Sequence, residues 1–118
     1  MLTVYTFQGC STCRNAVKWL RAKEIAFDEK PIRETPPAPD ELRAMLAARG
    51  ALKPMLNTSG QDYRSLGLAE QLPTMSTDEV LGLLSQNGNL IRRPFAINPV
   101  RGVFLTGFRE EEWQAALG

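Results

Sequence analysis

Cys10-Ser11-Thr12-Cys13 places two thiols three residues apart, directly after a strand-like run and at the start of a helix-like one. On a helical turn that spacing puts both sulfurs on one face, close enough to join in a reversible disulfide. The unpaired backbone N–H groups of a helix N-terminus favour the thiolate of the first cysteine. Cys10 is therefore read as the nucleophile. Cys13 is read as the resolving thiol, which attacks a mixed disulfide or adduct formed on Cys10. Arg14, one helical turn on from Cys10, would add positive charge on the same face. The competing reading of the pair is two inert core residues that pack as small apolar side chains.

The rest of the composition removes other chemistries. The 118 residues include these 2 cysteines and 0 histidines. That excludes a histidine general base, a Cys–His dyad and histidine metal ligation. A mononuclear zinc site needs about four ligands, mostly Cys or His, so no metal site is expected in one copy of the chain. A formal net charge of +1 gives no field that would demand nucleic acid or membrane as a partner. No run approaches the roughly 18 apolar residues of a membrane span. Met1-Leu2-Thr3-Val4-Tyr5 lacks the basic and apolar regions of a signal peptide. A cytoplasmic protein is expected, where a lone cysteine pair serves catalysis or sensing more often than structure. Residues 1–118 are expected to form one domain, and a monomer.

The elements that must position the pair can be read from periodicity. Thr3 to Phe7 is β-branched and aromatic and reads as a buried strand ending at Gln8-Gly9. Cys13, Ala16, Val17 and Leu20 recur at helical spacing and predict a helix from about Ser11 to Lys23. Ile25 to Lys30 reads as a second, parallel strand closing a βαβ unit. A helix carrying Leu42, Met45 and Leu46 follows the prolines at 36, 37 and 39, with Gly50 as its C-terminal cap. Between Asn57 and Pro73 there is room for one small helix at Tyr63 to Leu66. Ser76-Thr77-Asp78-Glu79 is a capping box for a helix with Val80, Leu81 and Leu84 inside, ending at Asn87-Gly88. Phe95-Ala96-Ile97 and Val103-Phe104-Leu105 read as a hairpin. A last helix opens with three glutamates, which suits the helix dipole, and would bury Trp113, Ala116 and Leu117.

Two further groups bear on the cysteines. Ser11 and Thr12 are helix-capping and first-turn residues that also have the hydroxyls to bind an oxyanion. Arg92-Arg93-Pro94 precedes the hairpin, and a proline at a strand start marks an edge or a backbone break. The arginines are either a solvated basic pair or a bidentate fork folded over the cysteine loop.

Taken together, Gly9-Cys10-Ser11-Thr12-Cys13-Arg14, the helix with Lys18-Trp19-Leu20, Leu56-Asn57-Thr58, Tyr63 to Leu68, Leu90 to Pro94 and Leu105 to Phe108 resemble the ArsC/Spx superfamily. The likeness runs in order along essentially the whole chain and is strongest to the short, YffB-like (arsenate-reductase-like) branch. It implies an α/β, thioredoxin-like fold of order β-α-β … β-β-α with a helical insert over about 39–88. It also implies that Pro94 is a cis-proline beside the cysteine.

Arsenate reductases of this superfamily hold their oxyanion with one cysteine and three arginines. Cys10 matches the cysteine, and Arg93 matches the arginine before the cis-proline. Asn57 stands where the arginine of the insert is expected. Phe108 stands where the third is expected, with Arg109 one step late. Losing two guanidinium forks removes much of the charge-assisted bonding an arsenate dianion needs.

The resemblance thus implies a thiol-dependent reductase with no bound cofactor and with glutathione as co-substrate. Glutathione, a glutaredoxin or a thioredoxin would return the electrons. Cys10, Cys13 and Arg93 would be catalytic, and Ser11, Thr12, Arg14, Asn57 and Pro94 would contact substrate. Two alternatives stay open. One is a true arsenate reductase in which Arg109 or Arg64 replaces the missing partners. The other is an Spx-like, redox-switched transcriptional regulator that binds the RNA polymerase α-subunit.

Overall fold

The computed structural model describes residues 1–118. Leu2–Thr6 forms β1, the strand that delivers the chain to the cysteine pair; all of it except Thr3 is buried. Ser11–Ala22 forms α1, which buries Cys13, Ala16, Val17 and Leu20, the stripe that helical spacing requires. Phe27–Pro31 forms β2, parallel to β1 in the register Leu2 with Phe27 through Thr6 with Pro31. After the helical middle come Phe95–Asn98 (β3) and Val103–Thr106 (β4), an antiparallel hairpin whose first strand pairs antiparallel with β1. The sheet order is β2-β1-β3-β4, so β1 and β3 are central. Glu110–Leu117 forms α6. The result is the thioredoxin-like order, with the helical insert between β2 and β3.

Side-chain alternation along the two central strands divides the core in two. Leu2, Val4, Ala96, Val103 and Leu105 pack with Ala16, Leu20 and Trp113, under α1 and α6. Tyr5, Phe95 and Ile97 pack on the other side with Leu42, Met45, Val80, Leu81 and Leu84. These come from Pro39–Arg49 (α2) and Thr77–Gln86 (α5). The capping signals hold. Gly50 ends α2 at φ 80°. Ser76 Oγ accepts the Glu79 N–H while Glu79 Oε1 accepts the Ser76 N–H, at 3.1 and 2.8 Å.

Four expectations need correction. The second strand begins at Phe27 rather than Ile25, because α1 ends in a Schellman turn. There Ile25 N–H reaches the Leu20 carbonyl and Glu24 N–H the Arg21 carbonyl, with Glu24 left-handed at φ 58°. The stretch from Asn57 to Pro73 holds two short helices, Gln61–Ser65 (α3) and Leu68–Gln71 (α4), hinged at Gly67 with φ 62°. In α6 only Trp113 is buried, while Ala116 is exposed. The indole fills the contact itself, stacking edge-on against Trp19 and Phe108. Finally, Cys10, not Ser11, is the N-cap of α1.

No helix is long and apolar enough to cross a membrane. Beyond α5, buried Gly88 lies so close to the backbone of Ile32 that a Cβ would collide with that carbonyl oxygen. Gly82, inside α5, has nothing within 4 Å of where a Cβ would stand. Gly88→Ala is therefore expected to lower stability by about 1–3 kcal/mol. Gly82→Ala should raise it by about 0.5–1 kcal/mol. Urea unfolding of the two variants checks both signs.

Candidate active site

The site is built on the turn from β1 into α1. Cys10 N–H donates to the Phe7 carbonyl at 3.0 Å, which closes the turn. Cys10 then adopts the extended backbone of an N-cap, φ −97° and ψ 113°, and its Sγ accepts the backbone N–H of Cys13 at 3.3 Å. A sulfur in this position takes one of the amides that the first helical turn leaves without a partner, and a thiolate does so better than a thiol. Both cysteines are free thiols; Cys10 is half-buried and Cys13 is buried.

The environment separates the two thiols. Burial pushes Cys10 up, but the thiol and the backbone N–H of Cys13 hydrogen-bond to it and the Arg93 charge attracts its anion, so the net shift is downward. Cys13 goes the other way. Burial, its hydrogen bond to Cys10 and the nearby Cys10 charge push it up to about 12, against the opposing pull of a backbone hydrogen bond at Phe7 and of Arg93. The anion of one sulfur is favoured, and its neighbour is held protonated.

Cys10 opens into a cleft of about 460 Å³. Thr12 and the Asn57-Thr58-Ser59 loop form part of its wall, and Arg92, Arg93 and Arg109 supply its charge. No Asp or Glu side chain lines it. The two sides are stitched together by backbone pairing: Asn57 N–H donates to the Leu90 carbonyl at 2.9 Å, and Arg92 N–H to the Met55 carbonyl at 2.8 Å. Asn57 Nδ2 also donates to the Asn89 carbonyl at 3.2 Å. The Arg93–Pro94 peptide is cis. The Pro94 carbonyl accepts the Gly107 N–H at 2.9 Å, which ties the arginine segment to the Thr106-Gly107-Phe108 loop. Trp113 Nε1 fixes that loop from behind by donating to the Gly107 carbonyl at 3.0 Å. Half-buried Arg93 has a buried Nη1 with no hydrogen-bond partner, a donor left for an anionic ligand.

The structure thus gathers Cys10, Thr12, Asn57 and Arg93 in one cleft, with Cys13 behind Cys10. Ser11 is exposed and does not line the cleft, and Pro94 is buried beneath it. Arg14 departs from the expectation. Its Nη1 donates to the Gln8 carbonyl at 2.9 Å, and it lines a separate cavity of about 660 Å³ with Lys18 and Arg21. The helical spacing rule fails here because Cys10 is a cap with extended backbone, not a helical residue. Arg109 does reach the cleft and Arg64 does not. Thr58 and Ser59 are wall residues that carry no chemical signature of their own in the sequence.

Comparison with known proteins then places the chain. The model of the ArsC family matches residues 5–116. The chain belongs to the ArsC family. It is 41% identical to YusI, an uncharacterized protein of Bacillus subtilis, over 96% of this chain and 95% of that one. It is 33% identical to the global transcriptional regulator Spx of Enterococcus faecalis, over 95% and 83% of the two chains. A crystal structure of a possible arsenate reductase from Streptococcus mutans UA159 superimposes with a TM-score of 0.87 at 39% identity, covering 97% of this chain and 98% of that one. A YffB protein superimposes with a TM-score of 0.84 at 25% identity, each chain covered in full at 100%. The ArsC/Spx likeness and its YffB-like flavour therefore hold for the whole chain.

Half-buried Arg93, with its free buried Nη1, should matter more to an anion than exposed Arg92. Arg93→Ala is expected to weaken binding of a carboxylate or oxyanion ligand about tenfold or more, the scale of a hydrogen bond to a charged group. Arg92→Ala should weaken it less. Calorimetric titration with glutathione compares them, and equal losses would assign the wrong arginine.

Proposed function

We propose that the chain is a cytoplasmic thiol-dependent reductase that acts on small anionic disulfides, with mixed disulfides of glutathione as the leading substrate class. The observation that carries this reading is a thiol that caps α1 at the foot of a cleft with arginines and no carboxylate, with a second thiol buried behind it and shifted in the opposite direction. In the first step the Cys10 thiolate attacks one sulfur of the substrate. A Cys10–S bond forms, the substrate S–S bond breaks, and the other half leaves as a thiolate. The adduct removes the Cys10 anion, and with it two of the effects that keep Cys13 protonated. Cys13 then loses its proton and attacks Cys10 Sγ, releasing the second thiolate and forming the Cys10–Cys13 disulfide. Glutathione, alone or through a glutaredoxin or thioredoxin, would supply the two electrons that reopen it.

Arg93 would stabilise both the thiolate and a carboxylate of the substrate, and Asn57 and Thr12 would complete the polar wall. No bound cofactor enters the scheme. Arsenate is the competing substrate in the same cleft. Arg109 restores a guanidinium near the site, but Asn57 gives only a neutral amide opposite Arg93.

A regulatory reading rests on the likeness to Spx. There the disulfide itself would be the output, and the RNA polymerase α-subunit the partner.

Turnover of a glutathione mixed disulfide, with glutathione and glutaredoxin regenerating the protein, separates these readings. The reductase reading predicts measurable turnover that Cys10→Ser abolishes. Cys13→Ser should accumulate a glutathionyl adduct on Cys10, visible by intact mass. The rate of the first attack should rise with pH with its midpoint below 9.0, the ordinary thiol value, because the Cys10 anion is favoured there. Turnover with arsenate alone would move the assignment to arsenate reduction. No turnover, with retention of the polymerase α-subunit by the oxidised form only, would move it to regulation.

A further inference from the structure

Arg93 has no carboxylate partner in the structure, so something else must hold its long side chain at the cleft. The aromatic ring of Phe7 lies within reach. Arg93 Cζ stands 4.9 Å from the Phe7 ring centroid, and Arg33 Cζ stands 3.8 Å from it. Both distances fall within the range in which a guanidinium is attracted to an aromatic face. The ring itself is fixed by the turn that carries the nucleophile. A Cβ on Gly9 would fall 2.7 Å from Phe7 Cε2, so the glycine leaves the ring the space it takes over the turn. The Phe7 carbonyl meanwhile holds the N–H of Cys10.

Two cations near one ring would repel unless one were compensated. Arg33 Nε donates to Asn89 Oδ1 at 2.6 Å, and Asn89 Nδ2 donates to Asp62 Oδ2 at 3.1 Å. Asn87 Nδ2 donates to the same carboxylate oxygen at 3.1 Å. These amides, first Asn87 and then Asn89, together with the Arg33 charge, hold Asp62 ionised below its usual range. Arg33 thus has a counter-charge through Asn89, and Arg93 keeps its charge for the cleft.

We propose that Phe7 is a positioning residue that holds the Arg93 guanidinium at Cys10, with Arg33, Asn89 and Asp62 bracing the ring from outside. The simpler role for Phe7 is apolar packing, since it also lies against the buried cluster under α2 and α5. The two roles differ in what they ask of the side chain: packing needs volume, and positioning needs a π face. The proposal rests on Arg93 serving Cys10, which the reductase reading also uses, but it does not require turnover.

The test is thiolate absorbance against pH in the full-length reduced protein, with Cys13→Ser in every variant so that Cys10 alone titrates. Phe7→Leu keeps an apolar side chain and removes the face, and should move the Cys10 curve to higher pH. Phe7→Trp should leave it close to the parent. Gly9→Ala, which displaces the ring and leaves it intact, should move the curve in the same direction as Phe7→Leu. In an Arg93→Ala background both shifts should disappear. Shifts that persist without Arg93, or equal shifts for Phe7→Leu and Phe7→Trp, would overturn the proposal. If Phe7→Leu does not fold, Gly9→Ala with and without Arg93 decides alone. Loss of the shift, with disulfide turnover intact in the parent that keeps Cys13, would sink the positioning role only; the full pattern, with no turnover in that Cys13-bearing parent, would sink the reductase reading only.

Discussion

The sulfur of Cys10 caps α1. A helix must find partners for its first amides, and here one of them, the N–H of Cys13, is met by the group that would perform the chemistry. That single contact sets several things at once. It fixes the sulfur at the helix terminus, where the dipole favours an anion. It fixes Cys13 one turn away and behind it, so that the resolving thiol is buried while the attacking thiol faces the cleft. It also makes the redox state of Cys10 a structural variable, because a sulfur engaged in a disulfide accepts a hydrogen bond less well than a thiolate does.

The rest of the fold serves this cap from both sides of the sheet. β1 brings the chain to the turn, and its neighbour β3 begins immediately after Arg93 and cis Pro94. The helical insert contributes Asn57 through the paired segments at Met55 to Asn57 and Leu90 to Arg92. α6 contributes no cleft residue, yet buried Trp113 holds the Gly107 loop that does. A charge-bearing wall without carboxylates results from three separate stretches of chain converging on one sulfur.

How much of this was legible in the sequence follows from how local each signal is. The cysteine spacing, the α1 stripe, the capping box at Ser76 and the glycine cap at Gly50 are local, and each appears where residue types place it. The start of β2 was not legible because Glu24 takes a left-handed turn that glycine usually signals. The helices α3 and α4 are too short for a period to emerge. At the site, the Cys10 and Arg93 pairing could be expected, while Arg14 could not be placed without knowing that Cys10 is a cap. The contact of Phe7 with Arg33 and Arg93 joins residues far apart in the chain, and no pattern of spacing records it. The one hint was Gly9, two residues after an aromatic.

The central claim is that one fold shifts the titration of two neighbouring thiols in opposite directions. NMR of the reduced protein with ¹³Cβ-labelled cysteine, titrated with pH, reads both sites in one experiment. The account predicts that the Cys10 resonance moves below 9.0 and the Cys13 resonance only toward about 12. Two resonances that move together near 9.0 would contradict it.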